Sequence, residues 1–258
     1  MDIELAKKVA ISAAKEAGKL VGENFQKTKK MSFKGENDMV TEIDLQSEKI
    51  ILDAIKVNFP DHNILSEEAG ATDNGSKYMW MVDPIDGTVN YYYGLDPYCI
   101  GICLLEDGRP ILNVLYNPTH DEMYVAQKGK GAFMNEKRIT VSDNTDLKNS
   151  MVMLNLSRTK GTRTKTLKIV ERISDHVRRM RVFGSSLSYM SYISSGKSDA
   201  FFDILLKPWD FLPGALLVEE AGGKVTDIKG NEITADSTSV VASNGRVHDQ
   251  ILKLLENI

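Results

Sequence analysis

The sequence of 258 residues contains little cysteine, no long apolar run and no excess of positive charge. No hydrophobic stretch approaches the roughly 20 residues that a membrane-spanning helix needs, so no membrane association is predicted. A net charge of −4 gives no sign of the basic face that is typical of a dedicated nucleic-acid surface. The N-terminal residues mix both charges with helical periodicity, unlike a signal peptide, so a cytoplasmic location is expected.

The two cysteines, Cys99 and Cys103, are too few for a disulfide framework. On an extended strand their spacing of four places both side chains on one face, but too far apart for an unstrained disulfide. We therefore expect two buried core thiols. The sequence also lacks a nucleophile elbow, a Walker loop and the ligand spacing of a zinc site, which excludes the enzyme classes that depend on those motifs.

The most informative segment is WMVDPIDGTVN, residues Trp80 to Asn90. Its apolar residues predict a buried strand, which is expected to end at Pro84 because proline cannot donate to a sheet ladder. Gly87 then permits a tight turn. Asp83 and Asp86 would repel each other and bind protons, and a hard cation such as Mg²⁺ would remove that conflict. For an isolated pair of this kind, two solvated aspartates in a turn would be the more common explanation.

Further acidic residues stand at the ends of other predicted elements, each beside an apolar run. Glu67 and Glu68 follow a probable strand, Asp210 opens an amphipathic stretch, and Asp44 lies at the start of a helix. Thr88 can cap the helix after the turn, where free N–H groups attract anions. Each acidic residue alone is more often a helix cap or a solvated charge, but together they suggest one carboxylate cluster.

Two long segments resemble the signatures of the inositol monophosphatase family of metal-dependent, lithium-sensitive phosphatases. WMVDPIDGTVN is similar to the first signature and PWDFLPGALLVEEAGG to the second. SEEAG and DMVTEID match two other acidic segments of that family in order and spacing. The resemblance covers nearly the whole chain. It implies an α/β (α+β) fold, a five-layer αβαβα sandwich with the site between its halves, and a homodimer.

The resemblance also implies roles for individual residues. Two or three Mg²⁺ ions would be bound by a set of oxygen ligands: Glu67, Asp83, the backbone carbonyl of Ile85, Asp86 and Asp210. Thr88 would pair with Asp44 and, together with Glu67, help to activate the attacking water. Lys34 would lie on a mobile loop that completes the metal site.

A second implied set would contact the substrate: Asp86, Gly87, Thr88, Gly184, Ser185, Asp203 and Asp210. Gly87 and Thr88 would hold the phosphate through backbone N–H groups and the hydroxyl. Gly184 and Ser185, in FGSSLSYM, match a segment that contacts the polyol. Asp203, in AFFDILL, falls where family members often carry an acidic residue that binds substrate hydroxyls.

The implied reaction is hydrolysis of a phosphate monoester of a small polyol or sugar by a metal-activated water, without a covalent enzyme intermediate. Inositol 1-phosphate is the expected substrate, because TVN after DPIDG is more like the inositol monophosphatase branch than the nucleotide branch. Fructose 1,6-bisphosphate, as the sole or a second substrate, is the closest alternative. NADP or nucleotide phosphatase, histidinol phosphatase and a regulatory binding module also stay open.

The polar segment from Ser142 to Ser150 is the best boundary between two halves of one compact catalytic unit. Residues 1–145 would form an α+β half with most metal ligands, and residues 146–258 an α/β half. Helices are predicted over Ile3–Phe25, Asp44–Asn58, Leu167–His176, Ser186–Ser195, Phe211–Ala221 and Val247–Glu256. Strands are predicted over Tyr78–Val82, Tyr98–Leu105, Ile111–Tyr116, Met123–Ala126, Arg138–Val141, Met151–Asn155, Met180–Phe183, Ala200–Ile204 and Ser239–Ser243.

Overall fold

The computed structural model describes residues 1–35, 38–157 and 159–256. Its helices are α1 (Ile3–Asn24), α2 (Glu42–Asn58), α3 (Thr88–Tyr93), α4 (Lys160–Ser174), α5 (Ser186–Ser194), α6 (Leu212–Glu220) and α7 (His248–Leu255). None of these described helices is both long enough and apolar enough to cross a membrane. The strands are β1 (Met31–Gly35), β2 (Asp38–Thr41), β3 (Asn63–Ser66), β4 (Gly70–Thr72), β5 (Tyr78–Asp86), β6 (Cys99–Glu106), β7 (Arg109–Asn117), β8 (Glu122–Gln127), β9 (Gly131–Met134), β10 (Lys137–Arg138), β11 (Met151–Leu154), β12 (Arg179–Arg181), β13 (Ala200–Asp203), β14 (Lys224–Thr226) and β15 (Val240–Ser243).

Two sheets organise the chain, and a separate hairpin joins β1 to β2. The larger sheet has eight strands in the order β10-β9-β8-β7-β6-β5-β3-β4, and it is antiparallel except for the parallel pair β3 and β5. The smaller sheet has five strands in the order β12-β11-β13-β15-β14. Within it, β11 is parallel to both of its neighbours, so the carboxyl ends of β11 and β13 lie side by side.

Three layers of helices enclose the two sheets. Helices α1 and α2 cover one face of the larger sheet through a core that contains Ala10 and Trp80. The other face packs on α5 and α6, which also contact the smaller sheet in a core that contains Met81 and Phe201. Helices α4 and α7 cover the outer face of the smaller sheet, where Ile169 is buried. The predicted five-layer αβαβα sandwich is thereby confirmed.

Several predicted elements are confirmed and others are wrong. Cys99 and Cys103 are buried, free thiols on β6, as predicted. The strand predicted over Arg138–Val141 is wrong beyond Arg138, because after a last bond from Ile139 N to β9 the chain turns away and Val141 N donates to a carbonyl at the end of α6. Helix α4 begins seven residues before the predicted Leu167, at Lys160, in a polar segment that gives no apolar periodicity.

Candidate active site

A bulge in β5 brings the two aspartates of the first signature to the same side of the sheet. The strand does not end at Pro84, as predicted, but continues to Asp86. Asp83 is paired with Gly101 of β6 and Asp86 with Cys99, so three steps along β5 match two along β6. Residues three apart on a regular strand face opposite sides. The extra residue at the proline corrects this, and a bulge is where a sheet tolerates a missing N–H donor.

Asp86 is held by three donors from the C-terminal part of the chain. Ser185 Oγ donates to Asp86 Oδ2 at 2.5 Å, Leu187 N donates to the same oxygen at 2.8 Å, and Ser186 N donates to Oδ1 at 3.2 Å. Burial raises the pKa of Asp86 to about 6, although these three hydrogen bonds act to lower it. The N-cap residue and first two residues of α5 therefore fix the orientation of this carboxylate.

Asp83 is the most electrostatically strained group of the cluster. It is 1% exposed, and its Oδ1 accepts a hydrogen bond from Ile85 N at 3.1 Å. Burial raises the pKa of Asp83 well above its ordinary value, and the charges of four other carboxylates raise it further. These are Glu67, Asp86, Asp210 and Asp44. The predicted cluster of acidic residues is thus brought together by the fold.

Asp44 and Thr88 form a hydrogen-bonded pair beside the aspartates. Thr41 caps α2, and its N–H and hydroxyl both donate to Asp44 Oδ2, in a reciprocal capping box. The N-cap of α3 is Gly87, with φ of +90°, and not Thr88 as predicted. The Thr88 hydroxyl therefore points back, 3.0 Å from both Asp44 Oδ1 and the Ile85 carbonyl oxygen. Burial raises the pKa of Asp44 to about 6, against the effect of its hydrogen bonds.

Lys34 supplies a positive charge to the acidic cluster. It lies on β1, and its Nζ is 2.9 Å from Glu67 Oε1 and 2.7 Å from Glu68 Oε1. Burial acts to lower the pKa of Lys34, but the two glutamates outweigh it and the pKa is raised. Burial likewise raises the pKa of Glu68 to about 7. Glu67 follows β3, the parallel neighbour of β5, which explains why it lies beside Asp83.

Glu48 has no counterpart among the predicted site residues. It is 5% exposed, and its Oε1 accepts hydrogen bonds from Glu68 N at 2.9 Å and Ala69 N at 3.1 Å. It thereby holds the turn that carries Glu67. Asp44 and Glu48 are one helical turn apart on the buried face of α2. Acidic residues at positions that a helix should bury are the sequence signal that identifies this supporting carboxylate.

Asp210 reaches the cluster from the C-terminal half. It ends a short 3-10 helix, Pro208–Asp210, and its Oδ2 accepts a hydrogen bond from Lys207 N at 2.7 Å. Its charge acts to raise the pKa of Asp83, so the two carboxylates lie close enough to interact. The helix predicted to follow it is α6, which begins at Leu212.

The residues predicted to contact the substrate lie in two different environments. Gly184, with φ of +82°, and Ser185 lie directly at Asp86. Asp203 is instead 4% exposed at the end of β13, where its Oδ1 accepts a hydrogen bond from Leu205 N at 3.0 Å. Burial raises the pKa of Asp203 to about 7 despite hydrogen bonds from the backbone and Asn155. Its carboxylate is therefore already engaged inside the protein.

The donor set fits a hard cation, although the side chains do not form a finished metal cage. Within the described residues, no three Asp, Glu, His or Cys side chains are grouped closely enough to enclose an ion. Carboxylates and carbonyl oxygens are nevertheless the ligands that Mg²⁺ prefers, and their mutual repulsion at Asp83 is what a divalent ion relieves. Glu67 would serve as a ligand either through its other oxygen or after Oε1 separates from Lys34.

The sequence matches the model of the inositol monophosphatase family over residues 2–258. The chain belongs to this family. Membership supports phosphatase activity on a phosphorylated substrate, and members of the family are generally magnesium-dependent. The acidic residues gathered between the two sheets include those of both family signatures, so the candidate site coincides with the segments that carry the resemblance.

Several known proteins are similar to this chain, and the names of two of them state different sets of substrates. A fructose-1,6-bisphosphatase/inositol-1-monophosphatase of Thermotoga maritima is 38% identical, over 89% of this chain and 86% of that protein. Inositol monophosphatase 2 of Solanum lycopersicum is 36% identical, over 96% of each chain. The crystal structure of the extragenic suppressor protein suhB from Bartonella henselae superposes with a TM-score of 0.94 at 29% identity, covering 98% of this chain and 99% of that one.

Proposed function

We propose that this protein is a magnesium-dependent phosphatase that hydrolyses the phosphate monoester of a small polyol, with inositol 1-phosphate as its principal substrate. The observation that carries the proposal is the interaction of the buried Asp83 with carboxylates from both halves, beside the Thr88–Asp44 pair. A buried cluster of this charge is costly without a cation. Its retention is explained if the cluster binds metal ions and a phosphate.

The proposed metal ligands are the oxygen donors that face one another in the cluster. Two or three Mg²⁺ ions would be held by Glu67, Asp83, the Ile85 carbonyl, Asp86 and Asp210. Bound Mg²⁺ supplies a lowered pKa for a coordinated water and neutralises phosphate charge. Because Asp83 is buried and Asp86 is held by three donors, these two residues would define where the ions bind.

The proton of the attacking water would pass through Thr88 to Asp44, with Glu67 on the opposite side of the water. The Thr88 hydroxyl accepts the proton and donates its own to Asp44 Oδ1, which lies 3.0 Å away. A pKa of about 6 suits Asp44 to this task, because the group is ionised at neutral pH yet readily protonated. No side-chain nucleophile is required.

Gly87 and Thr88 would hold the phosphate, and the turn before α5 would contact the polyol. A Cβ added at Gly87 would lie 3.1 Å from Ser185 Cβ and 3.2 Å from the Pro97 carbonyl oxygen, and φ is +90°. Only glycine therefore fits this close approach. Gly184 and Ser185 lie against Gly87, where they would contact hydroxyl groups of a substrate bound through its phosphate.

Fructose 1,6-bisphosphate is the second candidate substrate. The observation that favours it is the Thermotoga maritima relative, whose name gives both activities at 38% identity. The membership in the family also motivates two further expectations, a homodimer and inhibition by lithium. Both follow from the family and are independent of which phosphate ester is preferred.

Phosphate release by the purified protein, with Mg²⁺ and with EDTA, tests the proposal. The substrates are inositol 1-phosphate, fructose 1,6-bisphosphate, histidinol phosphate, adenosine 3′,5′-bisphosphate and NADP. We expect magnesium-dependent release with the highest kcat/KM for inositol 1-phosphate. A preference for another substrate would correct the substrate, and no release from any substrate would contradict the proposed reaction and favour the regulatory binding module.

A further inference from the structure

A chain of hydrogen bonds leads from the smaller sheet into the candidate site. It begins at the carboxyl ends of β11 and β13, where Leu154 is paired with Phe202 in parallel register. The next residues, Asn155 and Asp203, are therefore neighbours. The Asp203 carboxylate accepts hydrogen bonds from the Asn155 side chain and from Leu205 N. The Asp203 carboxylate thus accepts its hydrogen bonds from groups inside the protein.

Asp203 determines which way the Asn155 amide faces. In its ionised form this carboxylate only accepts hydrogen bonds, so it favours the orientation in which the Asn155 amide presents its Nδ2 group. The same Nδ2 also donates to Ser186 Oγ at 3.0 Å. The amide oxygen Oδ1 is consequently left facing Tyr189, whose hydroxyl donates to it at 3.1 Å.

The Tyr189 hydroxyl in turn holds the backbone before α5. Tyr189 is fully buried, and its oxygen accepts the N–H of Gly184 at 2.7 Å and the N–H of Phe183. Its proton is shared between Asn155 Oδ1 and the Leu154 carbonyl oxygen at 3.2 Å. Two backbone donors would lose their partner without this hydroxyl, which is costly in a partly buried turn.

The segment that Tyr189 holds leads directly to the donors of Asp86. Residues 185–187 supply the three hydrogen bonds to that carboxylate. Asn90 of α3 fixes the same segment from the other side, because its Nδ2 donates to the Phe183 carbonyl oxygen at 2.5 Å. A displacement at Gly184 is therefore transmitted to Ser185 and to the orientation of Asp86.

We propose that Asp203 and Tyr189 are positioning residues that act through Asn155 to hold residues 183–187 and thereby orient Asp86. Asp203 accordingly supports the site from behind, through its hydrogen bonds with Asn155 and Leu205. The catalytic consequence rests on the proposed phosphatase function, whereas the link between these residues and the Gly184 backbone is a property of the fold alone.

Tyr189→Phe removes the hydroxyl and leaves the ring. We expect amide hydrogen exchange at Phe183 and Gly184 to become about 10-fold faster and kcat to fall by about 10-fold, the lower end for loss of a group that orients a metal ligand. KM for the phosphate ester should change less than about twofold, because uniform substrate binding is not removed. Tyr192→Phe, on the same helix and with its ring facing Lys197, is the control and should leave all three values unchanged.

Asp203→Asn separates positioning from substrate contact. The new amide can donate as well as accept, so it no longer dictates the orientation of Asn155. We expect faster Gly184 exchange and lower kcat, with KM unchanged. A higher KM with unchanged exchange at Gly184 would overturn the inference in favour of direct substrate contact.

The exchange measurement also separates the two proposals from each other. If the protein released no phosphate, the proposed function would fail, while faster exchange in Tyr189→Phe and Asp203→Asn would still support the hydrogen-bonded chain. Unchanged exchange in both variants would overturn the inference whatever the activity. Loss of the folded state in Asp203→Asn would leave Tyr189→Phe, whose ring still fills the core, to decide it.

Discussion

The two halves of the molecule contribute opposite kinds of groups to the candidate site. The N-terminal half supplies most of the charge, in the carboxylates Asp44, Glu67, Asp83 and Asp86. The C-terminal half supplies Asp210 and, above all, neutral donors from the turn before α5. Burial raises the pKa values of Asp44, Asp83 and Asp86, repulsion by other carboxylates raises them further, and the donors of the second set act to lower the pKa of Asp86.

This difference indicates that one half supplies the negative charge of the site and the other half orients a charged side chain. A buried carboxylate cluster stores unfavourable energy until a cation binds, but repulsion alone does not orient an oxygen. The beginning of α5 provides N–H groups and the favourable end of a helix dipole for Asp86. In the proposed function, the larger sheet would therefore determine where metal ions bind, and the C-terminal half would determine how one of the ligands faces them.

We expect Asp86→Asn to have the largest effect on this arrangement. Asp86 is one of the N-terminal carboxylates, and it also accepts the hydrogen bonds of the C-terminal donors. We expect magnesium-dependent phosphate release to fall by more than about 100-fold, beyond the loss typical of an outer-shell partner. The fold should survive, since the amide is nearly isosteric and removes a repelling charge. Phosphate release and thermal unfolding without metal measure the two effects.

The matched control for that change is Asp53→Asn on α2. Asp53 forms an exposed pair with Lys49, with 60% of its side chain exposed, so the same chemical change occurs far from the cluster. Its activity should equal that of the unmodified protein. Normal activity in Asp86→Asn would contradict the proposed metal site.

Thr88→Val tests the N-terminal set without changing its charge. The methyl group replaces the hydroxyl that donates to Asp44 and to the Ile85 carbonyl. We expect kcat to fall by about 100-fold, the lower end of what positioned proton transfer contributes. Thr88→Ser keeps the hydroxyl and should restore most of the activity. Equal loss in both variants would contradict a role for the hydroxyl alone, because Thr88→Ser keeps it.

The sequence predicts the charged set better than the donors that orient it. Asp83, Asp86 and Asp210 stand in long signatures beside apolar runs, so their role is visible locally. The bulge that brings Asp83 and Asp86 to one side depends on pairing with β6, which no local pattern encodes. The local pattern therefore predicts a strand end at Pro84, whereas the pairing with β6 continues the strand to Asp86.

The supporting residues lack a local signature for a different reason. Asn155 follows a short strand and Tyr189 lies inside a buried helix, where each is compatible with ordinary packing. Their role arises only when β11 and β13 become parallel neighbours. The long amphipathic helix α1 shows the opposite case, because its apolar stripe predicted its extent to within one residue at its end.

The pH dependence of stability without metal sharpens the contrast between the two sets. In the folded state the pKa values of Asp44 and Asp86 are raised to about 6, and that of Glu68 to about 7. The folded protein therefore binds more protons than the unfolded chain at intermediate pH, and its stability should fall as pH rises from about 5 to 8. Thermal unfolding in EDTA measures this slope.

Magnesium should oppose this predicted fall in stability with rising pH. Because the ion binds the ionised carboxylates, the increase in Tm on adding Mg²⁺ should be larger at pH 8 than at pH 5. A Tm in EDTA that rises between pH 5 and 8 would show that repulsion within the cluster is relieved by groups of the protein alone, Lys34 foremost among them.

Gly101→Ala gives the smallest change and tests whether the two halves act separately. Gly101 is paired with Asp83 on β6, and an added Cβ would press on Leu187 and lie 3.2 Å from Pro213 Cβ. We expect a loss of about 1 kcal/mol in the free energy of unfolding, as for modest overpacking. Gly161→Ala, in α4 with open space around it, should not destabilise the protein and is the control.

Because Leu187 N also donates to Asp86, a site formed jointly by the two halves predicts that kcat falls a few-fold in Gly101→Ala at temperatures where the protein is fully folded. Lower stability with unchanged kcat would mean that the C-terminal half supports the fold without orienting the carboxylate.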